Sequence, residues 1–322
     1  MERGGFRPAW WCRNRHGQTL WSRLSAYQPR PNYMRERVPL PDSDFIDLDW
    51  VNRDHSGQPT VLVIHGLEGS SRSPYALGLM RAIENEGWRG VVMNLRGCSG
   101  DDNRLSRAYH SGDTEDVDYI VKHALSSCGD HPLAVVGYSI GGNMLLKWLG
   151  EERTRPDIAC AIAVSVPFNL GACTDVLSGS LFRIYENYFM KRLKARIARK
   201  MRTMAMPVTA NELSRLRSIR QFDDAITSRL HGFSDADDYY NQSSCRQYLG
   251  GITANSLIIH AADDPFMTPE VTPRTDELGP GARLELYDRG GHVGFVSGAV
   301  PGKAKYWLEQ RIKEYIKTNI AG

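Results

Sequence analysis

Leu133-Ala134-Val135-Val136-Gly137-Tyr138-Ser139-Ile140-Gly141-Gly142-Asn143-Met144-Leu145-Leu146-Lys147-Trp148-Leu149 is the stretch on which the reading of this chain turns. Its first four residues are apolar and partly β-branched, the pattern of a short strand buried in a parallel sheet. Its last eight read as a helix. Between them, Gly137-Tyr138-Ser139-Ile140-Gly141 sets a serine at a tight strand-to-helix turn. The glycines two residues to either side let the strand and helix backbones pass close together. An ordinary glycine-rich turn is the competing reading. The strand before and the helix after favour a nucleophile elbow, which holds a serine hydroxyl out for reaction.

Outward from this turn, strand-like runs fall at 45–51, 61–64, 91–95, 133–136, 160–166, 256–260 and 283–287, with helical patterns such as 74–86 and 114–125 between them. The second of these helices opens on Asp113-Thr114-Glu115-Asp116, whose carboxylates suit a helix N-terminus. Alternation of this kind predicts an α/β fold: a mostly parallel central sheet flanked by helices on both faces. It breaks between 171 and 251, where the sequence turns helical and charged. That insertion is read as a helical cap over the edge of the sheet where such folds bind ligands. The core then comprises 1–170 and 252–322, with an N-terminal extension over about 1–40. Within the cap, Leu181, Tyr185, Tyr188, Leu193, Ile197 and Met201 recur at roughly helical spacing. Lys191, Arg192, Lys194, Arg196, Arg199, Lys200 and Arg202 make that helix basic. Two readings stand for it: a solvated face, or weak contact with an anionic membrane surface.

Composition narrows the function classes. A chain of 322 residues with 41% hydrophobic and 24% charged residues is an ordinary globular protein, and a net charge of +3 gives nucleic acid no electrostatic footprint. Cys12, Cys98, Cys128, Cys160, Cys173 and Cys245 show no paired spacing and read as reduced thiols. The N-terminal residues lack the apolar core of a signal peptide, and no apolar run is long enough to span a bilayer. A cytoplasmic protein is expected.

A serine hydroxyl is a poor nucleophile at neutral pH and needs a general base, itself oriented by a carboxylate. Both partners follow in the chain. Past the run at 256–260 comes Asp263-Asp264-Pro265-Phe266, and past the run at 283–287 comes Gly290-Gly291-His292-Val293-Gly294. Each lies just beyond the carboxyl end of a strand, at the edge where Ser139 also lies. His292 is the candidate base. Asp263 and Asp264 compete for the acid; Asp264 is favoured because Pro265 fixes the loop directly behind it, and the other carboxylate either caps the following turn or binds backbone amides. The oxyanion of an acyl-transfer intermediate needs backbone donors. Leu67, in His65-Gly66-Leu67 after the run at 61–64, and Ile140, after the serine, are the candidates. His65 is read as structural. No histidine spacing suits a metal.

His65-Gly66-Leu67-Glu68-Gly69-Ser70-Ser71, Asn94-Leu95-Arg96-Gly97-Cys98-Ser99-Gly100, Gly137-Tyr138-Ser139-Ile140-Gly141-Gly142-Asn143 and Asp263-Asp264-Pro265-Phe266 together resemble the YheT-like branch of the α/β-hydrolase superfamily. That branch includes yeast medium-chain ethyl ester synthases/esterases and mammalian α/β-hydrolase-domain phospholipases. His16-Gly17-Gln18-Thr19, Pro41-Asp42-Ser43-Asp44-Phe45, Phe222-Asp223-Asp224, Gly232-Phe233 and Tyr239-Tyr240 share in the resemblance, which spans nearly the whole chain. It implies an α/β-hydrolase fold and a triad of Ser139, Asp264 and His292. The expected function is hydrolysis of small-molecule esters with short- to medium-chain acyl groups, with acyl transfer to an alcohol as a variant and no cofactor or metal. The alternative is a non-catalytic scaffold that binds lipid or protein through its basic cap. Oligomeric state is not legible.

Overall fold

Seven strands of the central sheet grow from the seven apolar runs, and an eighth does not. The computed structural model describes residues 5–25, 30–151, 158–179 and 183–320. The strands are β1 (Met34–Pro39), β2 (Phe45–Val51), β3 (Thr60–Ile64), β4 (Arg89–Asn94), β5 (Leu133–Tyr138), β6 (Cys160–Val164), β7 (Ser256–Ala261) and β8 (Ala282–Tyr287). They lie in the order β1-β2-β4-β3-β5-β6-β7-β8. Neighbours from β4 to β8 are parallel, and β1 and β2 are antiparallel additions at one edge. β1 escapes an apolar reading because an edge strand needs no continuous burial. Its charges are set by cross-strand pairing instead: Arg35 faces Asp49 and Arg37 faces Asp47, each pair at 2.8 Å.

Every residue of β2 to β7 is buried, as a sheet covered on both faces requires. Alternation sorts side chains between two cores. Leu62 and Ile64 join one with helices α3 (Thr114–Cys128) and α4 (Ile140–Gly150); Val61 and Val63 join the other with α2 (Pro74–Asn85). A first helix, α1 (Arg15–Ser25), precedes the sheet. At the start of α3, Asp113 holds the cap position without bonding a helix amide; its carboxylate takes Arg107 at 3.0 Å instead. The expected side-chain cap is replaced by an ion pair.

Between β6 and β7 the described residues form helices and connecting loops and no strand: α5 (Leu170–Ser178), α6 (Arg183–Lys200), α7 (Ala210–Arg215), α8 (Ile219–Phe222), a π turn (Asp223–Thr227), α9 (Ser228–His231), α10 (Ala236–Ser243) and a 3-10 turn (Cys245–Gly251). A last helix, α11 (Trp307–Ile320), follows the sheet and packs against α2. In α6, Tyr185, Leu193 and Ile197 are buried as their spacing predicts, whereas Tyr188 is exposed; Leu181 lies outside the described residues. The basic residues of this helix have a use that neither reading of the sequence anticipates. Arg192 donates to the Glu68 carbonyl at 2.9 Å, and Arg196 pairs with the Glu68 carboxylate at 2.9 Å. Lys194 donates to the Ser214 and Leu216 carbonyls, and Arg199 pairs with Asp102. Lys200, fully buried, donates to the carbonyls of Leu105 and Arg107 at 2.7 and 2.8 Å. Burial lowers its pKa to about 8. Only Lys191 and Arg202 of the seven are exposed and without such a bond among the described residues. A run of cations looks the same in sequence whether its acceptors are water or distant backbone carbonyls.

Candidate active site

Ser139 stands between β5 and α4 with φ 54° and ψ −122°, a conformation few non-glycine residues adopt. Its N–H is held by the Val164 carbonyl at 2.8 Å. The flanking glycines are required by close approach. A Cβ on Gly137 would lie 2.5 Å from the Gly141 carbonyl oxygen, and one on Gly141 would lie 2.4 Å from that of Ile64. The turn is thereby forced against the end of β3, beside the His65-Gly66-Leu67 loop.

In that loop the amides are nearly all spoken for. Gly66 N–H donates to the Tyr75 hydroxyl at 2.8 Å, Glu68 N–H to the Tyr109 hydroxyl at 2.9 Å, and Gly69 N–H to the Gly66 carbonyl at 2.9 Å. The Leu67 N–H bonds no group among the described residues. Ile140, the first residue of α4, likewise has no intrahelical acceptor for its N–H. His65 is fully buried: its Nε2 accepts from Leu95 N–H at 3.1 Å and its Nδ1 donates to the Gly66 carbonyl at 2.8 Å. Burial lowers its pKa to about 4, so it stays neutral and ties two loops together.

The loop after β8 carries His292 to the serine. Its Nε2 lies 3.0 Å from Ser139 Oγ, and its Nδ1 lies 2.8 Å from Asp264 Oδ2. Asp264 is 1% exposed, and its other oxygen accepts the Phe266 N–H at 2.9 Å. Asp263 faces elsewhere, accepting the Gly291 N–H at 2.9 Å, with its pKa raised by burial. The two adjacent carboxylates thus divide: one meets the imidazole, the other holds the backbone of the loop that bears it. Two cavities, of about 100 and 190 Å³, meet at Ser139, His292 and Leu67. Phe189 and Phe266 line both. Chemically, the arrangement couples a hydroxyl, an imidazole and a buried carboxylate in series, next to two open amides.

Comparison with known proteins agrees with this architecture. The family model described as the alpha/beta hydrolase fold matches residues 59–299. The chain belongs to this family, in its YheT-like branch. It is 43% identical over 309 residues to YheT of Escherichia coli (strain K12), which is named as an esterase, covering 95% of this chain and 91% of that one. It is 30% identical to the phospholipase ABHD3 of Bos taurus, covering 97% of this chain and 78% of that protein. Among solved structures, the esterase Pf2001 of Pyrococcus furiosus superposes with a TM-score of 0.59 at 16% identity, covering 90% of this chain and 92% of that one; at this identity the likeness is one of fold.

Much of the hydrolase's remaining motif content builds the frame. Arg96, 2% exposed, pairs with Asp42, Asp44 and Asp116 at 2.6–3.0 Å, and Asn103 donates to Asp44. The Pro41–Phe45 and Asn94–Gly100 segments therefore meet, with Asn103 and the start of α3, in one ion network centred on the buried Arg96. Among the described residues no group of His, Cys, Asp or Glu is placed to hold a metal, and no helix is long and apolar enough to cross a membrane. Some site residues carry no sequence signal. The Tyr75 and Tyr109 hydroxyls that fix the Leu67 loop come from α2 and from the segment before α3, and neither sits in a motif. Ser165, which accepts the Val293 N–H at 3.0 Å, is marked only by its positive φ of 53°.

Proposed function

We propose that this chain is a carboxylic ester hydrolase that works through an acyl-enzyme on Ser139. The observation that carries the proposal is the unbroken line from Asp264 through His292 to Ser139 Oγ, at 2.8 and 3.0 Å. In this reading Ser139 Oγ attacks the ester carbonyl while His292 Nε2 takes its proton, and Asp264 stabilises the imidazolium. The Leu67 and Ile140 amides receive the negative oxygen. Collapse expels the alkoxide, which takes the proton from Nε2. Water then attacks the acyl-enzyme through the same base, releasing the acid and restoring the hydroxyl. An alcohol in place of water gives acyl transfer.

The substrate class is a small ester of a short- to medium-chain acid, its two arms shared between the cavities that meet at Ser139. Residues 171–251 form the cap, and 1–170 with 252–322 the core. The test is a p-nitrophenyl ester panel of graded chain length together with fluorophosphonate labelling. The wild type should label and turn over, and Ser139→Ala should do neither while melting as the wild type does. A clean Ser139→Ala preparation that still hydrolyses esters would overturn the Ser139 mechanism, and a wild type that neither labels nor turns over would leave only a binding scaffold.

A further inference from the structure

The loop that carries His292 makes an internal bond from Phe295 N–H to the Gly290 carbonyl and is otherwise held from outside. Two of its residues without the freedom of glycine, Val293 and Phe295, have φ of 55° and 45°. Such conformations persist only where the surroundings over-determine them. Part of that restraint is internal to the α/β core: Ser165 takes the Val293 N–H, and Asp263 takes the Gly291 N–H. Further restraint comes from Gly290 and Trp307, which bond the Phe295 backbone, and a larger set of bonds comes from residues 9–19, which lie outside the span matched by the family model.

There, Gln18 is fully buried. Its side-chain oxygen accepts the Val296 N–H at 2.6 Å, and its nitrogen donates to the carbonyls of Val296 and Cys12 at 3.0 and 2.6 Å. Ala9 N–H adds a bond to the same Val296 carbonyl, and the Trp10 and Trp11 indoles donate to the carbonyls of Ala299 and Gly298. Thr19 acts at the key point. Its hydroxyl donates to the Arg15 carbonyl at 2.7 Å and accepts the backbone N–H of His292 itself at 2.9 Å. The glycines around His292 are explained by the same contact. A Cβ on Gly291 would fall 2.6 Å from the Arg15 carbonyl oxygen and 2.7 Å from Thr19 Oγ1; one on Gly294 would fall 2.3 Å from the Gln18 carbonyl oxygen. They give α1 room to lie against the loop.

From these contacts we infer that the Gln18-Thr19 pair of the N-terminal helix is a positioning device for the base, with the Thr19 hydroxyl setting the backbone from which the His292 imidazole reaches both Asp264 and Ser139. The inference rests on the role proposed above for His292. The imidazole must meet two partners near 3 Å at once, so its Cα–Cβ direction has little tolerance. Thr19 hydrogen-bonds neither the imidazole nor its partners Asp264 and Ser139; it fixes the main-chain nitrogen at the root of the His292 side chain. The His16-Gly17-Gln18-Thr19 motif thereby acquires a use: a part of the chain remote in sequence steadies the last member of the hydrogen-bonded line.

The test compares Thr19→Val, which keeps the shape and loses the acceptor, with Thr19→Ser, which keeps the hydroxyl. Thr19→Ala takes the place of the valine variant where valine prevents folding. Steady-state kinetics on p-nitrophenyl butyrate and the second-order rate of fluorophosphonate labelling are read alongside His292→Ala. Thr19→Val should lose about ten- to a hundredfold in kcat, the scale of a misplaced catalytic group, with KM within about twofold of wild type. Labelling should slow in parallel, and Thr19→Ser should recover most of both. If Thr19→Val matches the wild type, or if valine and serine variants lose activity equally, while His292→Ala is inactive, the positioning role is overturned and the proposed mechanism stands. If His292→Ala is itself active, the mechanism falls first.

Discussion

Gly141→Ala probes the geometry on which the site depends, and Gly171→Ala supplies its control. Both glycines are the second residue of a helix, in α4 and α5 respectively. Both substitutions therefore gain the same helical preference of alanine over glycine, up to about 1 kcal/mol. They differ in what the new methyl meets. At Gly141 it would lie 2.4 Å from Ile64 O, 2.6 Å from His65 O and 2.8 Å from Ile64 C, all main-chain atoms of a central strand and its exit. At Gly171 the nearest atoms are 3.6 Å away, ordinary contact. Overpacking against backbone costs up to about 3 kcal/mol, so Gly141→Ala should lose about 2 kcal/mol net. At about 2 °C per kcal/mol for a chain of this size, that is a fall of roughly 4 °C in Tm. Gly171→Ala should hold or rise by about 1–2 °C. Relief of that strain should push the His65-Gly66-Leu67 loop away from Ser139 and withdraw the Leu67 amide, the oxyanion donor proposed above. The loss of such a donor costs about a hundredfold or more in kcat. Thermal melts and saturating ester hydrolysis measure both effects. Equal stability and equal activity of the two variants would refute the claim that this contact sets the loop.

Asp264→Asn should lower kcat by about ten-thousandfold, by analogy with the loss of the orienting carboxylate in other triads, whereas Asp263→Asn, whose amide oxygen can still accept the Gly291 N–H, should stay within about tenfold of wild type; kinetics on the pair separates the two carboxylates. Arg196→Met leaves the Glu68 carboxylate buried without its cation and should cost about 3–5 kcal/mol in denaturant melts, together with a fall in kcat as the Leu67 loop loosens. Glu309 lies half-buried against Gly78, and burial raises its pKa to about 7 from an unfolded value near 4.5. Below about pH 4.5 the acid is protonated in both states and costs nothing; the penalty for burying its charge builds between pH 4.5 and 7 and is complete above. Glu309→Gln should thus stabilise by on the order of 2 kcal/mol at pH 8 and by nothing near pH 4.5. A gain that is the same at both pH values would contradict the shift.

The parallel sheet and the elbow were legible because local patterns suffice for them. Buried strands such as β3 and β5 are continuous apolar runs, and the Gly137–Gly141 turn carries its own spacing. The charged edge strand β1 was not, since its partners Asp47 and Asp49 lie on the next strand and pairing is invisible within Met34–Pro39 itself. Choosing between Asp263 and Asp264 from sequence relied on Pro265. The side chains in fact diverge because one must face the imidazole and the other the amide of Gly291. The basic α6 was the largest surprise. Its acceptors are carbonyls of residues 105–107, 214 and 216, the Asp102 carboxylate, and both the carbonyl and the carboxylate of Glu68, contacts that arise only once the helix is laid across the core. Thr19 shows the same limit: 273 positions separate it from His292, and no periodicity links them.

Glu68 is gripped twice by α6, through its carbonyl by Arg192 and through its carboxylate by Arg196, and it is the direct neighbour of Leu67. A swing of α6 large enough to admit bulky molecules would have to break both bonds, and would slacken the loop that presents the Leu67 amide. The two arginines thereby tie where the cap helix lies to where the backbone beside Leu67 lies.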